Sequence, residues 1–179
     1  MTLILALAMQ LALLTGQSNA CILNSYIPPG NTVLVCQSGA SIRAWDARDQ
    51  GTSGVTGQNL DLSVRTFDPS YVVFWQGESD GLMDYHEYYA RTYDVLHRTA
   101  VRPDGTIRSI MIIKVANDAA LQTVRAVHFN MSFHPSVALI ETDDLPRPGP
   151  GDVHLTPSGY EEVVRRLISC ITTSCWRTQ

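Results

Sequence analysis

Ser18 closes an apolar run, Leu3–Leu14, in the turn Thr15-Gly16-Gln17-Ser18-Asn19-Ala20. A serine hydroxyl is a weak nucleophile until a base takes its proton and donors receive the charge that forms on the attacked carbonyl oxygen. The chain holds residue types for both tasks. Gly39, in Ser38-Gly39-Ala40-Ser41-Ile42, has a backbone N–H with no side chain in front of it, and Gln76, in Gln76-Gly77-Glu78-Ser79-Asp80, carries an uncharged amide donor. His154, just ahead of Thr156-Pro157-Ser158, supplies an imidazole, the side chain that exchanges a proton most readily near neutral pH. Nucleophile, oxyanion donors and base together are the parts of an acyl-transfer site.

These residues are far apart in the chain, so regular elements must bring them together. Five apolar or β-branched runs read as strands: the one ending at Leu14, then Thr32–Val35, Tyr71–Trp75, Ile107–Val115 and Val137–Ile140. The first run is longer than an ordinary strand, so Met1–Ala6 is expected to lead in from outside the sheet. Between the strands, a short helix is expected over Ala20–Leu23 and a long one over Asp84–Ala100, where Leu82, Tyr85, Tyr89, Tyr93 and Leu96 recur as a core-facing stripe. Ala119–Met131 reads as another helix. The last helix starts at an N-cap, Thr156, with Pro157 in the first position and Glu161 and Glu162 facing the helix dipole. Its buried stripe is Tyr160, Val163, Val164, Leu167, Ile168 and Ile171. Residues 46–70 show no sustained period and are expected to form a long surface loop with at most one short helix. Strands alternating with helices predict an α/β fold, a doubly wound parallel five-stranded sheet in a three-layer α/β/α sandwich. Parallel strands gather their C-terminal ends at one edge of the sheet, where Ser18, Gly39, Gln76 and His154 can meet.

The 179 residues, 45% of them hydrophobic, suffice for one domain over 1–179. Thirteen basic against seventeen acidic residues leave a net charge of −4 without long runs, which excludes a broad basic surface for nucleic acid or anionic membrane. Cys21, Cys36, Cys170 and Cys175 fit no zinc spacing, so no metal is expected, and buried free thiols are the favoured state. Cys170 and Cys175 can pair only if the last helix ends between them. Residues 3–14 have the length of a signal-peptide core, but no positive segment precedes them and cleavage after Ala20 would remove Ser18. The run is also too short to span a membrane. A retained strand in a soluble, cytoplasmic protein is the expectation.

Four blocks then line up in order: GQSN at 16–19, GASIRAW at 39–45, WQGESD at 75–80 and DVHLTPSGY at 152–160. They resemble the conserved blocks of SGNH hydrolases, and are most similar to the sialate O-acetylesterase-like branch, which includes acetylxylan esterases. The resemblance covers Thr15–Tyr160. It implies a flavodoxin-like fold and hydrolysis of O-acetyl esters, usually on carbohydrates, with no metal or organic cofactor. By residue it implies Ser18 as nucleophile, His154 as base, and the N–H groups of Gly39 and Ser18 as oxyanion donors. Many members place an asparagine in the third block where this chain has Ser79, and Gln76 is the expected substitute. Many place an aspartate three residues before the histidine. Here position 151 is Gly, leaving Asp152 as the acid or a backbone carbonyl in its stead. Asp143 and Asp144 are outside candidates, with turn formation the plainer reading. Trp45, Glu78, Asp80 and Arg125 are expected either to touch substrate or to support loops. An esterase-derived glycan-binding module, or a same-fold esterase for lipid or thioester acyl groups, are the rival readings.

Overall fold

Strands β1 (Ala12–Gly16), β2 (Thr32–Cys36), β3 (Tyr71–Trp75), β4 (Ser109–Ile113) and β5 (Val137–Ile140) form one parallel sheet in the order β2-β1-β3-β4-β5. The computed structural model describes residues 12–46 and 54–175, so the apolar lead before Ala12 and part of the expected loop lie outside the described residues. The central strands alternate at period two: Leu13, Val72, Phe74, Ile110 and Ile112 enter one core, and Leu14, Val73, Trp75, Met111 and Ile113 the other. Both faces are therefore apolar, as a parallel sheet covered on both sides requires.

On the first face pack α2 (Gly54–Phe67), α3 (Tyr85–Ala100) and α4 (Gln122–Met131). The second face is covered by α1 (Ser18–Leu23) and α5 (Pro157–Thr173). This is the expected three-layer, doubly wound α/β architecture, with the 2-1-3-4-5 strand order of flavodoxin-like sheets. No helix among the described residues is long and apolar enough to cross a membrane.

Three expectations need correction. First, residues 54–67 are a helix of 14 residues, not loop; its buried Leu60 and Val64, one turn apart, are too few to show a period among glycines and polar residues. Second, the tyrosine stripe of α3 is not its core face. Asp84 caps the helix by accepting from the N–H groups of His86 (2.9 Å) and Glu87 (3.2 Å), and the buried side is Tyr88, Thr92, Val95, Leu96, Thr99 and Ala100. Tyr89, Tyr93 and His97 instead stack along the outside, with Tyr93 51% exposed, and Tyr85, stacked on Tyr89, is half-buried against the first core. Third, all four cysteines are paired, as Cys21–Cys36 and Cys170–Cys175. Gly16 of β1 lies level with Cys36 of β2, so the first turn of α1 carries Cys21 onto the end of β2, with the two Cα atoms 5.5 Å apart. Helix α5 ends at Thr173 and turns back through Ser174, which adopts φ 52°, so that Cys175 N–H reaches Cys170 O at 3.1 Å.

His128 of α4 is fully buried, its Nε2 3.2 Å from the Tyr88 hydroxyl, which donates to Gln76 O at 3.1 Å. Its Nδ1 has no partner among the described residues. Burial first, then the nearby Arg125 and Lys114 cations, lowers its pKa from 6.5 to about 3. A base depressed in the folded state favours folding above its unfolded pKa, and that contribution disappears as pH falls toward the folded value. Stability measured by denaturant titration should therefore decline from pH 6.5 toward pH 4.5, and His128→Gln should flatten that decline; an unchanged slope refutes the assignment. The Cys21–Cys36 link closes 15 residues, for which loop-closure entropy predicts about 3 kcal/mol of stabilisation. Cys21→Ser with Cys36→Ser should lower the unfolding free energy by roughly that amount, and loss of the short Cys170–Cys175 loop by less.

Candidate active site

Three turns leave the sheet side by side. Gly16 pairs with both Cys36 and Trp75, so β1, β2 and β3 end at one level, and the turns after them carry Ser18, Gly39 and Gln76. Gln17 N–H donates to Trp75 O at 3.1 Å and Gln37 N–H to Gly16 O at 3.0 Å, which locks the turns to one another. Gly16 adopts φ +145°, and a Cβ there would collide with the Trp75 carbonyl, so the position admits only glycine.

Ser18 is the first residue of α1, so its N–H has no acceptor within the helix and is free to serve an anion. Its hydroxyl lies 3.0 Å from His154 Nε2, across 136 residues of chain. On the far side of the ring, Asp152 Oδ1 stands 3.3 Å from Nδ1 and also accepts the His154 backbone N–H at 2.8 Å. The structure thus brings serine, histidine and aspartate side chains together. Both the His154 and Asp152 side chains remain partly open to solvent, at 41% and 35%.

Gly39 sits in an exposed turn at φ +71°, with open space where a side chain would be. The turn is closed by Ala40 N–H to Gln37 O at 3.2 Å. Gln76 supports it instead of facing a substrate, which corrects the expectation of a third oxyanion donor. Its Nε2 donates to Ala40 O (2.7 Å) and to Asp80 Oδ2 (3.0 Å), so both amide protons are engaged, while its Oε1 accepts from Trp45 Nε1 at 2.8 Å. Asp80 also accepts the Ile42 N–H through both oxygens, at 2.9 and 3.0 Å. Burial pushes the Asp80 carboxyl upward, against these hydrogen bonds. Trp45 is wholly buried against Gln76, and so lines no pocket for substrate.

Glu78 grips both neighbours of Ser18: Oε1 accepts from Asn19 Nδ2 at 2.6 Å and Oε2 from Gln17 Nε2. Asn19 in turn accepts the Tyr160 hydroxyl at 2.6 Å and donates to Val153 O at 3.0 Å. Burial pushes the Tyr160 phenol up to about 12. Arg125 is remote from the serine. It holds Asp143 through two bonds, 2.8 and 2.7 Å, and also reaches Val115 O, so its role is to anchor the acidic loop after β5. Those bonds, with Lys114, pull the Asp143 carboxyl down to about 2. Asp144 is held likewise by Arg166, which takes both outside candidates away from His154. Arg147, which no motif marks, donates from Nη1 to Val153 O at 2.8 Å; the arginine lies in a Pro-rich loop and only its place before the histidine block could have drawn notice.

No protein-family model and no curated protein matches the sequence. Solved structures do match in fold. A carbohydrate acetylesterase family member from Sinorhizobium meliloti superposes with a TM-score of 0.59 at 15% identity, over 92% of this chain and 98% of that one. The periplasmic domain of a lipopolysaccharide acetyltransferase from Salmonella ser. Paratyphi A gives 0.65 at 11% identity, over 91% and 84%. A carbohydrate acetylesterase from Xanthomonas citri gives 0.58 at 16% identity over 78% of this chain, which spans only 35% of that protein's length. At these identities the likeness establishes the α/β fold, shared with proteins that handle acetyl groups.

A serine-directed fluorophosphonate probe should modify Ser18 alone, and His154→Ala should abolish the labelling. Mass spectrometry locating the adduct on another serine would refute this site.

Proposed function

We propose that this protein is a serine esterase that removes O-acetyl groups, with a carbohydrate as the alcohol. The observation that carries the reading is the 3.0 Å contact between Ser18 Oγ and His154 Nε2, with Asp152 behind the ring. The block resemblance to the sialate O-acetylesterase-like branch of SGNH hydrolases and the acetylesterase neighbours support the substrate class.

His154 accepts the Ser18 proton as Oγ attacks the acetyl carbonyl, and Asp152 orients the ring and stabilises the imidazolium. The N–H groups of Ser18 and Gly39 receive the oxyanion, in place of the donor that Gln76 cannot supply. His154 then gives that proton to the sugar oxygen as its bond to the acetyl carbon breaks, which releases the sugar hydroxyl and leaves the acetyl group on Ser18. Water, which reaches the partly exposed dyad, attacks the acetyl-enzyme with His154 again as base. Ser18 and His154 supply nucleophile and base, and the reading calls for no cofactor.

The acetyltransferase among the structural neighbours makes transfer of the same acetyl group to a second hydroxyl the other outcome of this intermediate. Access of water to His154 favours hydrolysis. Paired cysteines weigh against the cytoplasmic expectation, because disulfides persist where the surroundings are oxidising.

Acetate release from p-nitrophenyl acetate and from acetylated sugars should vanish in Ser18→Ala at unchanged thermal stability; undiminished release would refute the reading. Asp152→Asn should reduce kcat by about 10⁴ if the carboxylate orients the ring as a triad acid does, whereas a near-neutral effect would assign that task elsewhere.

A further inference from the structure

Nucleophile and base come from segments 136 residues apart, and one hydrogen bond ties the backbones beside them. Asn19 Nδ2, next to Ser18, donates to the carbonyl oxygen of Val153, next to His154, at 3.0 Å. Each end of that bond is held from outside by a charged side chain. At the serine end, the Glu78 carboxylate binds Asn19 at 2.6 Å and Gln17 through its other oxygen, so Ser18 is flanked by two residues fixed to one group. At the histidine end, Arg147 Nη1 lies 2.8 Å from Val153 O and 3.4 Å from the carbonyl oxygens of Asp152 and His154.

Neither charge is spent on an ion pair. Among the described residues, no cation lies within salt-bridge distance of Glu78 and no carboxylate within that distance of Arg147. Burial pushes the Glu78 carboxyl up and draws the half-buried Arg147 guanidinium down, in Arg147 against the attraction of Glu78, Asp143 and Asp152, so that each charge carries a desolvation cost. A cost of this kind brings fold stability little return, since well-packed apolar groups stabilise as well or better. It does fix direction: Glu78 is an acceptor at both oxygens and Arg147 a donor, and the Asn19 amide and Val153 carbonyl are polarised between them.

We propose that Glu78 and Arg147 are positioning residues for the Ser18–His154 couple, acting from the two ends of the Asn19–Val153 hydrogen bond to set the reach of nucleophile to base. The proposal rests on the esterase reading above. Neither side chain touches the reacting atoms, so their effect falls on the chemical step rather than on substrate binding.

The test is steady-state hydrolysis of p-nitrophenyl acetate by the full chain carrying Glu78→Gln, Arg147→Met or both, with thermal unfolding of each variant. Glu78→Gln offers an N–H where an acceptor is needed, and Arg147→Met keeps the stem without the donors. Each single variant should lose kcat about tenfold or more with KM within about twofold, since small misplacements of reacting groups cost that much or more. The double variant should lose less than the product of the two, because both act through one bond. A kcat within twofold of the parent, a loss confined to KM, or fully multiplicative losses would each overturn the proposal. Should a variant fail to fold, Glu78→Asp and Arg147→Lys keep the charges but not the reach, and parental kcat in both is then the overturning result. If the parent hydrolyses no acetyl ester, the esterase reading fails separately. The positioning claim is then decided by NMR of the Asn19 side-chain amide, whose protons should exchange slowly in the parent and faster in Glu78→Gln, with equal rates overturning it.

Discussion

At Gly16 the strand that leads to Ser18 passes so close to β3 that a methyl group would strike the Trp75 carbonyl oxygen. That approach is the constraint on which the site depends. It lets Gln17 N–H bond to Trp75 O and Gln37 N–H to Gly16 O, so the three turns after β1, β2 and β3 start from one rigid level. Since packed cores do not deform smoothly, a side chain at position 16 would separate two strands and shift every turn built on them. The Cys21–Cys36 link reinforces the same corner, joining the helix that Ser18 begins to the strand that feeds the Gly39 turn.

Above that level the turns are held by buried polar groups. Trp45, Gln76, Asp80, the Ala40 carbonyl and the Ile42 N–H form one connected set in which each group of Gln76 has a partner of the right sense. Such a set costs desolvation, visible in the raised Asp80 carboxyl, and a half-satisfied version would be worse than an apolar core. What it provides is a defined shape for the Gly39 turn, whose open face has no side chain to hold it. The Gln76 amide, expected as an oxyanion donor, thus lies beneath the Gly39 turn and supports it.

How much of this could be read in the sequence follows from the range of the forces involved. Strand positions were legible because burial on both faces leaves unbroken apolar runs, as in Tyr71–Trp75. The approach of Ser18 to His154 was legible through topology, since parallel strands share an edge. The helix at 54–67 was hidden because few of its side chains are buried. The α3 stripe misled because tyrosines at four-residue spacing stack on one another outside as readily as they pack inside, and nothing local separates Tyr88, which is buried, from Tyr89 and Tyr93. The Cys21–Cys36 pair and the direction of the Gln76 amide depend on contacts between separate elements, to which no spacing rule applies, while the Cys170–Cys175 pair turns on where the last helix ends. Arg147 belongs with these, since its partners are backbone carbonyls and leave no trace in side-chain types.

Ser18 and His154, the proposed nucleophile and base, are positioned by unlike means. Ser18 follows a central strand directly, while His154 rides on the loop between β5 and α5, pinned at its start by Arg125–Asp143 and Arg166–Asp144. Ion pairs with an exposed partner hold weakly, so the firmer anchors are Leu145 and Leu155, buried in the second core at either end of the segment that bears the histidine. Each contributes roughly 1.5–3 kcal/mol by burial. Thr156 N–H closes the base of the segment on Pro146 O at 2.9 Å. Those anchors fix where the segment begins and ends, and between them a turn closes with Asp152 N–H on Gly149 O at 3.2 Å. Apolar burial is non-directional and cannot choose among the positions left to His154. Directional bonds can: Asn19 Nδ2 to Val153 O and Ser18 Oγ to His154 Nε2 join the segment to the turn after β1, while Arg147 holds the Val153 carbonyl from within the segment. His154 is therefore located by reference to the turn that bears Ser18, through bonds that Asn19 and Ser18 make, more than by the sheet.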